Sequence, residues 1–553
     1  MAQIDKRFLG KLENSVPKLA NNYMLSTYSI ILEAWRRGLE ISISIKKEAS
    51  GNIEPYYTIK SSKRKHKFSA TRGDLVPRET IDTTKNKQTT REILLKNSVP
   101  TPIGKDFDES VTTDDVVASV KDLTYPLVVK PLNGTGGRGV IANIKNEKEL
   151  IEAITYVRNK LNFQHIIVEE YFEGEDYRVY IIGGKVAGAI KRLRAHIIGD
   201  GKKTINELIE DKNKQRAKLP SLTNRPIKID GETHNLLNQQ GYTLDSTPKR
   251  DSIVYLKTKN NVSAGGDSIE VTEELSESIK QIAIKATESF TSMVQAGVDL
   301  IVDEENDRGV VIELNTRAHI TQHLFPIKGK ASDVPAKIID FYFPETLNTE
   351  DIGQELFYLD YDYIYNSCLS RNAVEIKLPQ LPKAPLVLKR YIVSNCSYSE
   401  SLAKKIRRVA YNNKVDGYIK PLDHDKFVII VGGNEGKVNL FKKQATRRIK
   451  KNNPDAKIQV KKRLTPIKHG FHIEHESTEP SSATSSLDYF KKYSRLKKDY
   501  QRVVKRLVEY EQMEKEMHLT KKQNKNLKKR LGQIESSTSW KVTKPLRKIM
   551  KKK

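Results

Sequence analysis

The sequence predicts a multidomain chain of mixed α/β class, and three stretches carry that reading. Residues 125–140 (YPLVVKPLNGTGGRGV) form a short apolar run that ends in Lys130 and opens into a glycine-rich loop. Residues 298–302 (VDLIV) and 310–314 (VVIEL) look like two buried strands joined by the turn DEENDRG. Residues 386–462 run strand, helix, strand, strand, helix, strand, the βαββαβ order of a ferredoxin-like split motif.

Composition sets the outer limits. With 553 residues, the length prior is roughly three or four domains. A hydrophobic content of 37% is low for one compact body, so part of the chain is expected to be solvated or extended. The net charge is +28 and unevenly spread: residues 487–553 hold 22 Lys and Arg against 7 Asp and Glu. Two cysteines, Cys368 and Cys396, suit a reducing compartment better than a disulfide framework. The first residues lack the apolar core of a signal peptide, and no apolar window is long enough to span a bilayer. The expectation is a cytoplasmic chain, peripheral at the inner membrane face through its tail.

Residues 1–80 read as an N-terminal α/β region, with helical spacing over 28–38 (Ile31, Ala34, Trp35) and strand-like alternation over 39–45. The basic run SSKRKHK at 61–67 reads as a solvated face. Residues 86–102 (NKQTTREILLKNSVPTP) predict a helix bearing Lys87, Thr90, Ile93 and Leu94, stopped by Pro100 and Pro102.

In the glycine loop, Gly134, Gly136, Gly137 and Gly139 let backbone amides close on an anion, and Lys130 adds a point charge. A plain glycine-rich hairpin with a surface lysine fits the same residues. No Gly-Lys-Ser/Thr closes the loop, so it is not a Walker A loop, and no helix-type pattern begins inside it, so it is not a Rossmann fingerprint. A helix over 147–160 and a strand over 166–170 (IIVEE) follow, then YFEGEDYR. A strand ending in Glu169 and Glu170 can offer backbone groups to an adenine edge, and a carboxylate a few residues on, Asp176, can accept ribose hydroxyls.

At this point residues 80–345 resemble the ATP-grasp superfamily of ATP-dependent carboxylate ligases, and within it the ATP-grasp domain of cyanophycin synthetases and bifunctional glutathione synthetases. Several segments in the right order carry the resemblance. They are Asn86-Lys87-x-x-Thr90 with Val99-Pro100, Val129-Lys130-Pro131 with the glycine loop, and Val168-Glu169-Glu170 with Asp176-Tyr177-Arg178. Ala195-His196-Ile197-Ile198-Gly199-Asp200-Gly201, Leu244-Asp245-Ser246 and Asn261-Val262-Ser263-Ala264-Gly265-Gly266 match stretches typical of that subgroup. The resemblance implies an ATP-grasp fold over 81–346.

Glu313 and Asn315 are two apart and share one strand face, with Leu314 on the other; Asp299 lies on the preceding strand. On the residues alone, ordinary polar strand ends are the simpler account. The resemblance makes Asp299, Glu313 and Asn315 the ligands of Mg²⁺ or Mn²⁺, oxygen donors that suit such a cation.

The chemistry it implies is attack of a carboxylate on ATP to give an acyl phosphate, then displacement of phosphate by an amine, with ADP released. It implies Lys87 and Lys130 on the phosphates, with Gly136 and Gly137 over them. It also implies Glu169, Glu170 and Asp176 at the nucleoside, and Arg192 on the transferring phosphoryl group. Arg178 and Arg317, from charge and placement, are candidates for the substrate carboxylate. The chain departs from many relatives after Asn315, where Thr316-Arg317-Ala318-His319 replaces a proline and glycine. His319 and His323 read as structural or solvated histidines before substrate contacts.

Residues 347–383 read as a connector broken by prolines. The βαββαβ unit at 384–466 resembles an acylphosphatase domain, especially in Val415-Asp416-Gly417-Tyr418-Ile419. Its phosphate-cradle stretch at 394–403 has no arginine, and Pro421 stands at the catalytic asparagine position, so a binding or scaffolding role is expected. Residues 467–486 read as a linker, and 487–553 as a basic helical tail. There Tyr500, Val503, Leu507, Tyr510 and Met517 follow an imperfect heptad, which reads as a short coiled coil or an exposed helix; the coiled coil would make a homo-oligomer. Residues 537–547 (STSWKVTKPLR) resemble a tail motif of bacterial glycosyltransferases that build surface polymers. That resemblance makes surface-polymer enzymes or an anionic membrane the expected partners of the tail. Nucleic acid is the competing partner, but no aromatic-rich nucleic-acid module accompanies the charge. The reading is an ATP-dependent carboxylate–amine ligase; its alternative is a non-catalytic ATP-binding scaffold for surface-polymer enzymes.

Overall fold

The computed structural model describes residues 7–47, 53–132, 139–347, 353–382, 385–474, 527–533 and 536. It divides into two units, Met1–Glu474 and His475–Lys553. In the second unit the described residues 527–533 are helical and exposed. The heptad stretch and the tail motif lie outside the described residues, as do Gly134, Gly136 and Gly137. Among the described residues, no helix is long and apolar enough to cross a membrane.

The first unit begins with helix α1 (Tyr23–Arg36), which starts five residues before the expected stretch and is buried on almost every side. Strands β1 (Glu40–Lys47), β2 (Ile53–Lys60), β3 (Lys65–Ser69) and β4 (Arg72–Gly73) form an antiparallel sheet beside it. Part of the basic run becomes β3, whose Phe68 turns inward. Ser61 organises the preceding turn, its hydroxyl accepting from the Lys63 and Arg64 amides. Helix α2 (Arg78–Thr83) leads to α3 (Lys87–Lys96), where the Asn86 side chain accepts from the Thr89 amide as an N-cap.

A four-stranded sheet follows, with strands β5 (Gly104–Phe107), β6 (Leu127–Pro131), β7 (Ile141–Ile144) and β8 (Ile166–Glu170) in the order β5-β8-β6-β7. Helices α4 (Thr113–Ser119) and α5 (Glu147–Thr155) cover it, around Leu127, Val129, Leu150, Ile154 and Val168. The helix read over 147–160 is α5, extended by one wide turn at Tyr156–Lys160.

Strands β9 (Glu175–Ile182) and β10 (Lys185–Leu193) open a second sheet. The chain then leaves it for a small insertion: β11 (His196–Ile198), α6 (Ile205–Ala217), α7 (Gly231–Gln239) and β12 (Ile253–Tyr255). Ile197, Ile205, Ile209, Leu237 and Val254 give the insertion its own core. The chain returns as β13 (Asp267–Glu270), α8 (Glu277–Glu288), β14 (Gln295–Asp303) and β15 (Arg308–Asn315). The sheet order is β13-β10-β9-β14-β15, antiparallel throughout. Helices α9 (Thr321–Leu324) and α10 (Val334–Tyr342) complete this part.

The connector reading needs correction. Residues 347–383 contain β16 (Phe357–Tyr358), α11 (Tyr361–Leu369) and β17 (Glu375–Lys377). Tyr361, Ile364 and Cys368 give α11 one buried face. Strand β17 adds to the N-terminal sheet, with Ser44 opposite Glu375. Arg36 donates from Nε and Nη2 to the Phe357 carbonyl at 3.0 and 2.9 Å, tying α1 to this segment.

The first unit ends with β18 (Leu386–Ser394), α12 (Glu400–Asn413), β19 (Asp416–Asp423), β20 (Lys426–Asn434), α13 (Glu435–Asn452), β21 (Lys457–Lys462), β22 (Ile467–Lys468) and β23 (Phe471–Ile473). The sheet order of this part is β21-β18-β20-β19-β23. The linker reading is therefore too long at its start, because β22 pairs with β16 and β23 with β19, both in parallel. One sheet face packs under α12 and α13, while Leu388, Val428 and Ile430 on the other join the core around Phe357. Both cysteines are free and buried.

Candidate active site

Two groups of charged side chains face the region between the two sheets of the middle part. The first is set by β6 and β8. Val128 and Glu169 are register partners, and the Lys130 ammonium reaches the Glu169 carboxylate at 2.5 Å. Glu169 is 5% exposed, so the pair is shielded from water. Lys87, in the first turn of α3, lines the same cleft with Lys130, Glu169, Ile312 and Glu313. Burial pushes the Lys87 ammonium below its ordinary range, and Lys130 adds to that, while Glu313 and Glu169 oppose it. Two lysines converging on one cleft suit a polyphosphate.

The strand end beside them is well braced. The Glu170 amide donates to the Ile103 carbonyl at 2.8 Å, and the Tyr171 amide to the Pro126 carbonyl at 2.8 Å. The Glu170 carboxylate accepts from the Thr124 amide at 2.9 Å. Gly104 lies against Glu169 so closely that a Cβ there would come 2.5 Å from the Glu169 Cβ.

The second group lies across the five-stranded sheet. Asp299 on β14 is opposite Arg178 on β9 and opposite Glu313 on β15. Arg178 donates to both Asp299 oxygens, from Nε at 2.6 Å and Nη2 at 2.7 Å. Arg192 on β10 is opposite Asp176 and pairs with it at 2.5 Å, while also reaching Asp299 at 3.3 Å. The structure thus groups Asp176 with Arg192 and Asp299, and Glu169 with Lys130. Burial pushes the Asp176 carboxyl up to about 6; Asp299 adds to the rise and Arg192 opposes it. Burial also disfavours the Asp299 carboxylate, but Arg178 and Arg192 outweigh it and hold this carboxyl below its ordinary range. Burial works against the Arg192 cation too, yet Asp299 and Asp176 keep it firmly protonated.

The register between β14 and β15 shifts just after Asp299, so Ile312 is an extra residue on β15. Ile312 and Glu313 are both exposed as a result, whereas Leu314 is buried and Asn315 half-buried. Asn315 lies opposite Gly297, where a Cβ would collide with Ala318. Asp299, Glu313 and Asn315 offer hard oxygen donors from one hairpin, and this donor set fits Mg²⁺. Among the described residues, no three His, Cys, Asp or Glu side chains cluster as a metal cage; the trio includes an amide.

Of the other candidates, Arg317 pairs with Glu54 and donates to Ser69 Oγ at 3.2 Å, joining the loop after β15 to the N-terminal sheet. His323 is fully buried against Glu270, Nδ1 to Oε2 at 3.0 Å, a structural place. His319 Nδ1 lies 3.4 Å from Ser26 Oγ, and its ring centroid is 5.0 Å from that of Tyr23. Burial, with Arg225, Arg178 and Arg317 around it, lowers the His319 pKa to about 4. Tyr23, Ser26 and Arg225 escaped the sequence reading. They come from two distant segments, Tyr23 and Ser26 from α1 and Arg225 from the loop between α6 and α7, and neither spacing nor composition marks them.

Comparison with known proteins gives this geometry a context. Residues 84–321 match a family model described as an ATP-grasp domain. Cyanophycin synthetase of Synechocystis sp. is 30% identical over 267 residues, which cover 47% of this chain and 30% of that protein. The glutathione biosynthesis bifunctional protein of Clostridium perfringens is 30% identical over 353 residues, 62% of this chain and 44% of that one. A crystal structure of a bifunctional glutathione synthetase from Pasteurella multocida aligns with 24% identity and a TM-score of 0.42, over 55% of this chain and 42% of that one. The chain spans less than half the length of the curated relatives it matches.

Proposed function

We propose that this chain, whose residues 84–321 form an ATP-grasp domain, is a ligase that uses Mg²⁺ and ATP to join a carboxylate to an amine. One observation carries the reading: Lys87, Lys130 and Glu313 line one cleft, with Asp299 directly across the hairpin from Glu313.

A substrate carboxylate oxygen attacks the γ-phosphorus, the bond to the β–γ bridging oxygen breaks, and ADP leaves. The amine nitrogen then attacks the acyl carbon, the carbon–oxygen bond to phosphate breaks, and the amine gives up its proton. Phosphoryl transfer needs positioning and charge neutralisation above all. Lys87 and Lys130 hold the phosphates. Arg192, kept in place by Asp176 and Asp299, stabilises the transferring group. Asp299, Glu313 and Asn315 would hold Mg²⁺, which would supply positive charge to offset that of the phosphates.

The βαββαβ unit is assigned as a scaffold or binding domain, and the basic tail as the part that brings the ligase to a bacterial surface polymer. One observation favours the alternative, an ATP-binding scaffold: Asp299 is already paired with Arg178. Release of ADP separates the two. Full-length protein with Mg-ATP is offered pools of amino acids, short peptides and cell-wall fragments, with Glu313→Ala as the blank. Stimulated release that the variant loses supports the ligase. ATP binding without stimulation by any pool supports the scaffold.

A further inference from the structure

The outward faces of α12 and α13 carry almost one sign of charge. The two helices hold four and seven Lys or Arg, against one Glu each. All eleven cations are exposed, and among the described residues only Lys404 has a carboxylate partner, Glu400 at 2.8 Å. A surface that only has to stay soluble intersperses both signs. Here like charges stack along each helix: Lys404 is four residues before Arg408, and Arg447 is four residues from both Lys443 and Lys451. Such pairs destabilise a helix. Lys450 and Lys451 complement the dipole at the end of α13, but that account covers two of the eleven.

The fold turns this charge outward. Leu402, Ile406 and Val409 of α12, with Val438, Phe441 and Ile449 of α13, press the apolar stripe of each helix onto the sheet. Asn413 Nδ2 donates to Gln444 Oε1 at 2.9 Å, which pins the helices side by side. The opposite sheet face is taken by the core around Phe357, through Leu388, Val428 and Ile430. The two helices therefore form an outer wall whose free side is basic.

The chemistry of that wall selects its partner. Seven of the eleven cations are lysines. Lysine is a hydrated point charge that acts through its field, whereas forked recognition of single phosphates favours arginine. The charge covers two adjacent helices, so a flat anionic plane meets both at once, while a nucleic-acid rod follows one line. Single-stranded nucleic acid is bound on aromatic platforms, and Tyr411 is the one exposed aromatic residue of these two helices. Tyr411, 82% exposed, and Leu440, 42% exposed, stand among the cations, where a ring and an aliphatic side chain can enter a headgroup layer.

We propose that the outer wall of α12 and α13 docks the protein on an anionic lipid bilayer. Each Lys or Arg held near such a surface adds to the attraction, which fades within a Debye length and weakens with salt. The wall belongs to the first unit and is separate from the tail, where the sequence places any membrane contact. The βαββαβ part thereby gains a role of its own, as the membrane-facing side of that unit. This assignment does not depend on the ligase reading.

The test is flotation of full-length protein with vesicles of phosphatidylglycerol mixed with phosphatidylcholine, and with vesicles of phosphatidylcholine alone. The protein should float with the first and not with the second, and added salt should release it. Lys404→Gln, Arg408→Gln, Lys443→Gln and Arg447→Gln, made together, should weaken binding to the anionic vesicles at least tenfold. The exchange Lys404→Arg, Arg408→Lys, Lys443→Arg and Arg447→Lys keeps the charge and should keep the binding, which separates charge from any effect on folding. Lys544→Gln, Arg547→Gln, Lys548→Gln and Lys551→Gln in the tail should leave binding that the wall change then removes. Absence of flotation, equal flotation on both vesicles, or parental binding by the Gln variant of the wall overturns the assignment. So does stronger capture by duplex RNA than by anionic vesicles at equal phosphate concentration, which gives the wall to nucleic acid.

Discussion

Arg178 lies directly across the sheet from Asp299 and holds both of its carboxylate oxygens, at 2.6 and 2.7 Å. This pairing helps keep a nearly buried carboxylate ionised and fixes its orientation.

Removing one partner should therefore cost more than removing both. Arg178→Met should destabilise the fold by about 3 kcal/mol, because the buried Asp299 then keeps only its longer contact to Arg192. Arg178→Met with Asp299→Asn should lose clearly less than the sum of the two single changes. Urea denaturation of the four proteins measures the cycle, and strict additivity would refute the coupling.

The same logic separates two roles of Lys130. Lys130→Met should lower ADP release at least a hundredfold and also lower the melting temperature, since Glu169 is left buried alone. Lys130→Met with Glu169→Gln should recover the melting temperature but not the turnover. Recovery of turnover would mean that Lys130 serves the pair and not the nucleotide.

His319 gives a pH dependence with a definite sign. Its folded pKa, about 4, lies below the ordinary 6.5, so the unfolded chain takes up the proton first. The stability this confers is complete above about 6.5 and is lost as pH falls towards 4. The loss amounts to at most about 3 kcal/mol. His319→Gln should flatten the stability profile between those pH values relative to the parent. An unchanged slope in guanidinium melts at pH 4.5 and 7 would contradict the assignment.

Gly432 marks where the last sheet meets the segment after the ATP-grasp domain. A Cβ there would come 2.8 Å from Phe357 Cζ and 2.9 Å from Leu388 Cδ1. Gly432→Ala should cost about 1–3 kcal/mol through overpacking. Adding Phe357→Leu should return part of it in chemical denaturation, and no recovery would place the clash elsewhere.

Local pattern made some of this site legible in advance. The apolar run before Lys130 and the alternation of Glu313, Leu314 and Asn315 are properties of neighbouring residues, and the structure follows both. The Ile312 bulge was hidden, because strict alternation would turn Ile312 inward, yet it is exposed beside Glu313. The pairs Arg178–Asp299 and Arg192–Asp176 were hidden too. Which charge meets which depends on the order of β10, β9 and β14 in the sheet, and β9 and β14 are far apart in sequence. Strand β17 has three residues and a partner strand more than three hundred residues upstream, so no window could reveal it.

That distant pairing bears on how the chain is made. Strand β1 leaves the ribosome early, but its outer neighbour β17 emerges only after the whole ATP-grasp domain has been synthesised. Until then one edge of the N-terminal sheet stays open to other chains. Synthesis is thus a race between completion of residue 377 and stray strand pairing, and slow translation or premature termination within the ATP-grasp domain exposes the nascent protein to aggregation.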